Sequence, residues 1–356
     1  MTGTDNLILT GFMGTGKTSV AQKVAERLGR PFVDMDDEIV QRAGQTIPEI
    51  FAQLGEGAFR AIESGLCVDL GQLSGLVIAT GGGCLVNGTN REILSSSGLV
   101  ICLDCKPEGI VKRLEGSSHR PMLYGDAPEA RVRDLLAERR QAYAAIPYHI
   151  DTTHRSIDQV VEAVLALYRS EPRRLQVNTL TGAYPVHLIP GGLSLLGDLL
   201  SSPPISTDLV VVSDEHVWPH WGTPLMEGLA QTGYRVTPII LPPGEQHKRL
   251  GTVSNLYDRF VDAGLDRSGA VIALGGGVIT DMAGFAAATF MRGVHLVQVP
   301  TTLLGMIDAS VGGKVAVDLP QGKNLVGAFV EPLLVLVDPD VLVTLPESEV
   351  LRFRGR

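Results

Sequence analysis

Short apolar runs alternate with segments of helical period along the first 170 residues. In the helical segments, apolar residues recur every three or four positions. The predicted strands are residues 6–10, 31–34, 76–80, 99–104 and 149–151. The predicted helices are residues 18–28, 47–54, 59–73, 129–145 and 157–168. This alternation predicts an α/β fold in which helices cover both faces of a parallel sheet.

A polar stretch at residues 169–174 interrupts this pattern, and a second α/β series follows it. Its predicted strands are residues 186–189, 209–213, 236–241, 270–274 and 296–299. Its predicted helices are residues 193–200, 225–232, 250–263 and 282–290. We therefore expect a first domain at residues 1–170, a linker at 171–176 and a second domain at 177–356.

Composition and charge narrow the function classes. Hydrophobic residues make up 44% of the chain and charged residues 19%, a balance typical of globular proteins with real cores. The net charge is −9 without any block of like charge, which argues against nucleic-acid or anionic-membrane partners. No apolar run approaches ~20 residues, and the amino-terminal residues lack the basic start of a signal peptide. We expect a cytoplasmic location.

Two of the four cysteines have redox or metal-binding spacing, in Cys102-Leu103-Asp104-Cys105. They lie at the end of an apolar run, and no second pair of ligands follows them. A strand that carries two reduced thiols is therefore favoured over a metal site.

A glycine-rich loop follows the first predicted strand and precedes the first predicted helix. Its sequence is Gly11-Phe12-Met13-Gly14-Thr15-Gly16-Lys17-Thr18, the pattern of a phosphate loop in its required context. Backbone N–H groups of such a loop surround the β-phosphate, and the helix dipole favours the negative charge. Lys17 can bridge the β- and γ-phosphates, and Thr18 can bind Mg²⁺. A chance glycine turn is the alternative, which the register of strand, loop and helix disfavours.

Two aspartates, Asp34 and Asp36, come at the end of the next predicted strand. In an open α/β sheet this is where ligands bind. One carboxylate could hold metal-bound water while the other orients a hydroxyl nucleophile. A helix N-cap is the alternative, since Asp36 and Asp37 precede a helical pattern at residues 38–41, and it accounts for one aspartate better than for the pair.

Further along the first domain, polar and glycine residues occur at suggestive positions. Arg60 and Glu63 share one helix face, where a surface ion pair is the default interpretation. The triple-glycine turn at residues 81–83 follows a strand and permits close approach to a ligand. Arg120 lies in a polar stretch that fits a lid over a phosphoryl group, and Arg139 lies four residues before a tyrosine.

The order GxxGxGKT, DxD, FRxxE, GGG, RP and RxxxY resembles the shikimate kinase family over residues 1 to about 170. The resemblance implies transfer of phosphate from Mg²⁺-ATP to the 3-hydroxyl of shikimate, with Glu63 supporting Arg60. Implied catalytic residues are Lys17, Asp36 and Arg120. Implied ATP contacts are Gly14, Thr15, Gly16, Lys17, Thr18, Ser19 and Arg120. Implied shikimate contacts are Asp36, Arg60, Gly82 and Arg139, and implied metal contacts are Thr18 and Asp34.

Two points about this acceptor site stay open at the level of sequence. Arg140-Gln141-Ala142 precedes Tyr143 where the family often has a proline, so either Arg139 or Arg140 could face the substrate. A related kinase for gluconate or a nucleoside monophosphate is the alternative enzyme, although the FRxxE and triple-glycine spacing argue against it.

A second glycine cluster, residues 275–277, follows a strand of the second domain. As a dinucleotide-binding GxGxxG it fails at the last position, which is Thr280, and no acidic residue follows at the required distance. A tight strand-to-helix turn is the alternative.

Five further motifs make the second half resemble the N-terminal, NAD-binding domain of the 3-dehydroquinate synthase family. They are PGEQHK at 243–248, GGV at 276–278, QVPTT at 298–302, SVGGK at 310–314 and GKN at 322–324. The resemblance implies a Rossmann-like α/β domain, with Pro243 and Thr280 as departures from the pattern. Implied NAD contacts are Glu245, Lys248, Gly277, Asp281, Thr301, Thr302, Lys314 and Lys323.

That family continues after residues 345–347 into a helical domain that supplies a Glu and two His ligands for a divalent metal, Zn²⁺ or Co²⁺. The histidines of this half lack metal-ligand spacing. We therefore expect that this half binds NAD weakly and does not complete the synthase reaction. The alternatives are a truncated form of an active bifunctional enzyme and a non-catalytic dimerisation module, which would make the chain a homodimer.

Overall fold

The computed structural model describes residues 5–114, 128–179, 182–200 and 205–346. The chain divides into two compact units, Met1–Tyr168 and Arg169–Arg356. The predicted α/β class holds in both. No helix among the described residues is long and apolar enough to cross a membrane.

The first unit is built on a parallel five-stranded sheet in the order β2-β3-β1-β4-β5. Its strands are β1 (Asn6–Gly11), β2 (Phe32–Asp34), β3 (Val77–Ala79), β4 (Gly98–Asp104) and β5 (Tyr148–Asp151). Its helices are α1 (Lys17–Leu28), α2 (Met35–Ala43), α3 (Ile47–Gly71), α4 (Gly88–Ser97), α5 (Pro107–Leu114), α6 (Pro128–Ala144) and α7 (Ile157–Arg169). Because all strands are parallel, their carboxyl ends lie along one edge, where ligands of such sheets bind.

The helices that the sequence reading missed are short or lack a strong apolar face. Helix α2 follows directly on β2, α4 begins with small and polar residues, and α5 has eight residues. Helix α3 joins two helices that were predicted separately. Thr46 and Glu49 form a capping box at its start, and Gly55 interrupts its helical geometry with a φ of 81°.

The second unit has a seven-stranded sheet in the order β6-β7-β14-β11-β10-β8-β9, parallel except for the β6–β7 pair, and a two-stranded hairpin. The sheet strands are β6 (Arg173–Asn178), β7 (Ala183–Leu188), β8 (Asp208–Asp214), β9 (Arg235–Leu241), β10 (Ala270–Gly275), β11 (His295–Pro300) and β14 (Leu334–Val337). The hairpin strands are β12 (Lys314–Leu319) and β13 (Gly322–Phe329). The helices are α8 (Leu196–Leu199), α9 (Trp218–Gln231), α10 (Leu250–Asp262) and α11 (Gly277–Thr289).

Several boundaries of the second unit differ from the sequence prediction. Strand β6 begins at Arg173, inside the predicted linker, because it pairs antiparallel with β7 at the edge of the sheet. Strands β12, β13 and β14 were not predicted. The helix predicted at 193–200 is a 3₁₀ turn at Gly192–Leu195 followed by one turn of α-helix. Helix α11 is nearly all apolar, and it is buried against the sheet and the hairpin.

Candidate functional site

The glycine loop after β1 has the geometry of a phosphate-binding loop. Gly14 and Gly16 take positive φ values of 78° and 94°, and α1 begins at Lys17. Lys17 Nζ donates to the Phe12 carbonyl at 3.0 Å, and Thr15 Oγ1 donates to the same carbonyl at 2.8 Å. The lysine therefore reaches back over the loop, and the loop leads into the start of a twelve-residue helix. A helix N-terminus of this kind favours the binding of an anion.

Six of the seven residues predicted to contact ATP lie together in the structure. Gly14, Thr15, Gly16, Lys17, Thr18 and Ser19 lie in the loop and the first turn of α1. Arg120 lies outside the described residues.

Thr18 and Asp34 form a pair of hard oxygen ligands beside this loop. Thr18 Oγ1 donates to Asp34 Oδ2 at 2.7 Å, while Asp34 Oδ1 accepts from the Asp36 backbone N–H at 3.0 Å. Asp34 is therefore the N-cap of α2, and its second oxygen faces the phosphate loop. A hydroxyl and a carboxylate oxygen suit Mg²⁺, so the donor set fits the expected ion.

The triple-glycine turn is the point on which the predicted acceptor residues converge. A Cβ atom at Gly81 would lie 2.8 Å from Asp36 Oδ1 and 3.0 Å from Glu63 Oε1. A Cβ atom at Gly83 would lie 2.9 Å from Arg60 Nη2. Side chains from α2 and α3 therefore press against this turn, and glycine is required because any side chain would displace them.

Arg60 and Glu63 form an ion pair that is buried at its acidic end. Arg60 Nη1 donates to Glu63 Oε2 at 2.8 Å, and only 2% of the Glu63 side chain is exposed. Burial raises the pKa of the Glu63 carboxyl; Arg60 lowers it and the Asp36 carboxylate raises it further. The default of a surface pair is therefore wrong, and Glu63 fixes the arginine beside the glycine turn.

Gly82 connects the residues predicted to hold the acceptor with the phosphate loop and with α6. A Cβ atom at Gly82 would lie 3.3 Å from the Met13 backbone nitrogen. The Gly82 carbonyl accepts from Arg139 Nη1 at 3.0 Å and from the Tyr143 hydroxyl at 2.5 Å. The Arg139 guanidinium also lies 5.4 Å from the centroid of the Phe12 ring. Burial raises the pKa of Tyr143 to about 12, so the phenol keeps the proton that it donates.

We expect Arg139→Ala to raise the KM for a carboxylate-bearing acceptor by about ten- to hundredfold, the loss of a charged hydrogen bond. Arg139 is half-buried at Gly82, whereas Arg140 is exposed. The matched variant Arg140→Ala should change KM less than about twofold. Steady-state kinetics of both variants check this, and a larger effect at Arg140 would reverse the assignment.

Cys102 and Asp104 on β4 and His149 on β5 offer three ligand atoms within 4.8 Å of one another, the one such group in the part of the chain described. Their contacts favour a protonated histidine that is hydrogen-bonded to Asp104, rather than a metal site. His149 Nε2 contacts the Ile146 carbonyl at 3.0 Å and Nδ1 contacts Asp104 Oδ2 at 2.7 Å, so both ring nitrogens face acceptors and both carry hydrogen. Burial and Asp104 also hold the pKa of the Cys102 thiol well above its usual range, whereas a metal needs the thiolate.

The His149–Asp104 pair gives the first unit a pH-dependent stability. Burial lowers the pKa of His149, but the charge and hydrogen bond of Asp104 outweigh it, so the pKa is raised. The contribution is fully present below the unfolded pKa of about 6.5, and it is lost as the pH rises through the folded-state pKa. We expect the melting temperature of the first unit to fall between pH 6 and pH 9 more steeply than in Asp104→Asn. Calorimetry measures this, with the transition identified by its shift on adding ATP. Equal slopes in the two proteins would contradict the pairing.

The second unit has its own polar cluster, centred on a buried lysine. Lys248 is 5% exposed and its Nζ donates to Asp281 Oδ2 at 2.5 Å and to Asn324 Oδ1 at 2.6 Å. Lys323 Nζ lies 2.9 Å from Glu245 Oε1. Burial raises the pKa of the Asp281 carboxyl, although Lys248 opposes the shift. Four of the predicted NAD residues thus form two ion pairs.

A glycine turn and two threonines make a cradle at the start of α11. A Cβ atom at Gly276 would lie 3.0 Å from Thr302 Cγ2, so a side chain at this turn would require Thr302 to shift. Thr301 Oγ1 is buried without a hydrogen-bond partner among the described residues. The Thr301 backbone N–H donates to the Gly275 carbonyl at 2.9 Å, so this residue lies next to the glycine turn at which the thirteen-residue helix α11 begins. An unsatisfied hydroxyl near such a helix start fits a pyrophosphate or ribose ligand. NAD therefore fits the residues present.

Lys314 is separated from Lys323 by the length of the hairpin. It begins β12, is exposed and pairs in register with Phe329, six residues beyond Lys323 on β13. At about 3.4 Å per residue the two lysines are roughly 20 Å apart along the strands. A single compact ligand therefore cannot contact both, and the assignment of Lys314 to NAD stays a prediction.

Sequence reasoning missed three residues that the fold brings to these sites. Asn324 contacts Lys248, and the signal was its place beside Lys323 in the GKN motif. The Tyr143 hydroxyl reaches Gly82, and Arg113 donates to the Gly14 carbonyl at 3.4 Å and to Thr152 Oγ1 at 2.9 Å. Arg113 had no signal, because its helix was not predicted.

The fold and the sites define a phosphate-loop protein of the small-molecule kinase type, followed by an α/β unit with a glycine cradle at a helix start. Residues 13–169 match the shikimate kinase family, and residues 238–352 match the family described as 3-dehydroquinate synthase N-terminal. The chain therefore joins a shikimate kinase domain to the N-terminal domain of a 3-dehydroquinate synthase.

Curated relatives are similar to the whole chain or to about half of it. A bifunctional shikimate kinase/3-dehydroquinate synthase of Thermotoga maritima is 33% identical over 342 residues, which are 96% of this chain and 64% of that protein. A 3-dehydroquinate synthase of Pelotomaculum thermopropionicum is 49% identical over 176 residues, 49% of this chain and 47% of that protein. The solved shikimate kinase from Acinetobacter baumannii in complex with shikimate is 38% identical, with a TM-score of 0.45 over 47% of this chain and 94% of that one. The chain spans about half the length of the curated 3-dehydroquinate synthases that it matches.

Proposed function

We propose that the first unit transfers the γ-phosphoryl group of ATP to the 3-hydroxyl of shikimate. One observation carries the proposal: the acceptor residues and the phosphate loop meet at the triple-glycine turn. Gly82 lies against the Met13 backbone, while Asp36, Arg60 and Arg139 surround the same turn. An acceptor held there lies next to a phosphate held by the loop, as phosphoryl transfer requires.

Each side chain has a role that its surroundings support. Arg60 and Arg139 reach the turn from two different helices, so they can hold the carboxylate of a small acceptor between them. Asp36 lies at the turn with an oxygen that can accept the proton of the attacking hydroxyl. Lys17 neutralises phosphate charge within the loop. Thr18 and Asp34 would hold Mg²⁺, which would supply further neutralisation of the phosphate charge.

A coupled ADP-release assay with an acceptor panel tests the proposal. Shikimate should give at least tenfold higher kcat/KM than gluconate or a nucleoside monophosphate, since two arginines and Asp36 match a carboxylate-bearing triol. Equal or faster turnover of gluconate or a nucleotide would assign the unit to another phosphate-loop kinase. The absence of acceptor-dependent turnover with every compound would reject a kinase of this type.

For the second unit we propose NAD binding at the cradle before α11. The support is the orphaned Thr301 hydroxyl together with the match of residues 238–352 to the synthase N-terminal family. Titration calorimetry with NAD should show binding, and Thr301→Val should weaken it by roughly three- to tenfold, the loss of one hydrogen bond at constant shape. Thr237→Val, at an exposed position on β9, is the matched control. Equal affinities of both variants would place NAD elsewhere.

The chain matches about half of each 3-dehydroquinate synthase, so for the second unit we propose NAD binding and no further step. An assay for dehydroquinate formation by the purified chain tests whether it also carries out a synthase reaction. A non-catalytic dimerisation role is the second candidate, and size-exclusion chromatography of the full chain tests it.

We propose a cytoplasmic location, because ATP is the phosphoryl donor and all four cysteines are free thiols.

A further inference from the structure

Two buried thiols face each other behind the acceptor pocket. Cys67 on α3 and Cys84, directly after the triple-glycine turn, have their Sγ atoms 3.3 Å apart. Both side chains are 0% exposed, and neither is in a disulfide. A disulfide holds its sulfurs about 2.05 Å apart, so a relative shift of roughly 1.3 Å would join them.

This Cys67–Cys84 thiol pair is attached to the elements that position the acceptor. Cys67 lies one helical turn after Glu63, and the Arg60–Glu63 ion pair is on the same helix. Cys84 follows Gly83, against which the Arg60 guanidinium packs at 2.9 Å from a Cβ position. A backbone shift that brings the sulfurs together therefore moves the glycine turn relative to Arg60.

We propose that the Cys67–Cys84 thiol pair is a reversible oxidation site that controls acceptor binding. Thiol–disulfide exchange with a small disulfide, RSSR, forms the Cys67–Cys84 bond in two steps through a mixed disulfide. The two thiols lose two electrons and two protons, and two RSH molecules carry them away. The control of acceptor binding rests on the proposed kinase function, whereas formation of the bond does not.

Burial makes the exchange conditional on movement of the pocket. The hydrogen bond with Cys67 and burial hold the pKa of the Cys84 thiol well above its usual range, so the closed pair reacts slowly. Opening of the glycine turn exposes the pair to the small disulfide. An acceptor bound at the turn holds it closed and protects the thiols.

The experiment treats the folded 356-residue chain with oxidised glutathione, alkylates the remaining thiols and measures intact mass and peptide linkage. The expected result is one bond between the Cys67 and Cys84 peptides that dithiothreitol reverses. It should be absent in Cys67→Ala and Cys84→Ala and retained in Cys105→Ala. Shikimate should slow its formation at least threefold. The oxidised chain should have a KM for shikimate changed at least fivefold, with the KM for ATP changed less than twofold.

The outcomes separate this proposal from the kinase assignment. If the bond forms only after unfolding in urea, or joins other cysteines, the oxidation site is rejected. A Cys67–Cys84 bond that leaves the KM for shikimate unchanged rejects the control of binding. A reduced chain without shikimate turnover rejects the kinase assignment and with it the control of shikimate binding, while the mass measurement still decides whether the bond forms. Melting temperatures of the alanine variants confirm that they are folded.

Discussion

Replacing Lys17 by methionine is expected to lower shikimate-dependent ADP release by roughly a hundredfold or more, the size of effect seen when a preorganised stabilising group is removed. Methionine keeps the length of the aliphatic chain and deletes the ammonium group that the loop holds 3.0 Å from the Phe12 carbonyl. The charge that develops on the transferring phosphoryl group then loses the stabilisation that we expect from the Lys17 ammonium group. The measurement is kcat at saturating ATP and shikimate in the coupled assay.

The matched control lies on the same helix. Lys23 of α1 pairs with Asp158 at the surface, where the two side chains are 46% and 68% exposed. Lys23→Met removes the same charge from the same helix and should change kcat less than about twofold. If both lysine variants lose activity equally, the effect comes from α1 as a whole and the phosphate-loop role of Lys17 is rejected.

Local patterns predicted much of the fold and the donor half of the site. The buried run of β1, the glycines and the start of α1 are contiguous, so one stretch of sequence encodes strand, loop and helix. Asp34 was predicted as a metal ligand, whereas the predicted N-cap was Asp36 or Asp37; the structure makes Asp34 the N-cap, because α2 begins at Met35. Asp34 can serve in both ways, because one of its carboxylate oxygens caps the helix and the other contacts Thr18.

Contacts between residues far apart in sequence were not predictable. Tyr143 and Gly82 are 61 positions apart and Asp104 and His149 are 45 apart, and no local spacing records either pair. The choice between Arg139 and the adjacent arginine depended on the angle at which α6 faces the glycine turn. Such geometry is set by packing of the core, whereas sequence patterns report only which face of an element is apolar.

The second unit shows the same limit in its hairpin. Strands β12 and β13 contain glycine, lysine and asparagine among their apolar residues, so their alternation is weak. They form because Val315 and Val317 pack into the core beside α11. Because the sequence pattern did not predict this hairpin, it could not show that Lys314 and Lys323 lie at opposite ends of the hairpin.

Replacing Asp36 by asparagine is expected to lower kcat by about a hundred- to ten-thousandfold, the contribution of a positioned general base. Asparagine keeps the shape and a hydrogen-bonding oxygen at Gly81, but it does not take the proton of the attacking hydroxyl. The fold should persist, because the Asp36 carboxylate raises the pKa of Glu63 and its loss makes the charged Arg60–Glu63 pair easier to maintain.

Asp37→Asn is the control for this substitution, since Asp37 is the next residue of α2 and is exposed. It should leave kcat within about twofold of the parent, as surface changes away from a site usually do. The melting temperature and the KM for ATP of Asp36→Asn should match those of the parent, which separates a loss of chemistry from a loss of folding or nucleotide binding. A kcat for Asp36→Asn within tenfold of the parent would mean that the hydroxyl loses its proton to another acceptor, and the role assigned to Asp36 would be wrong.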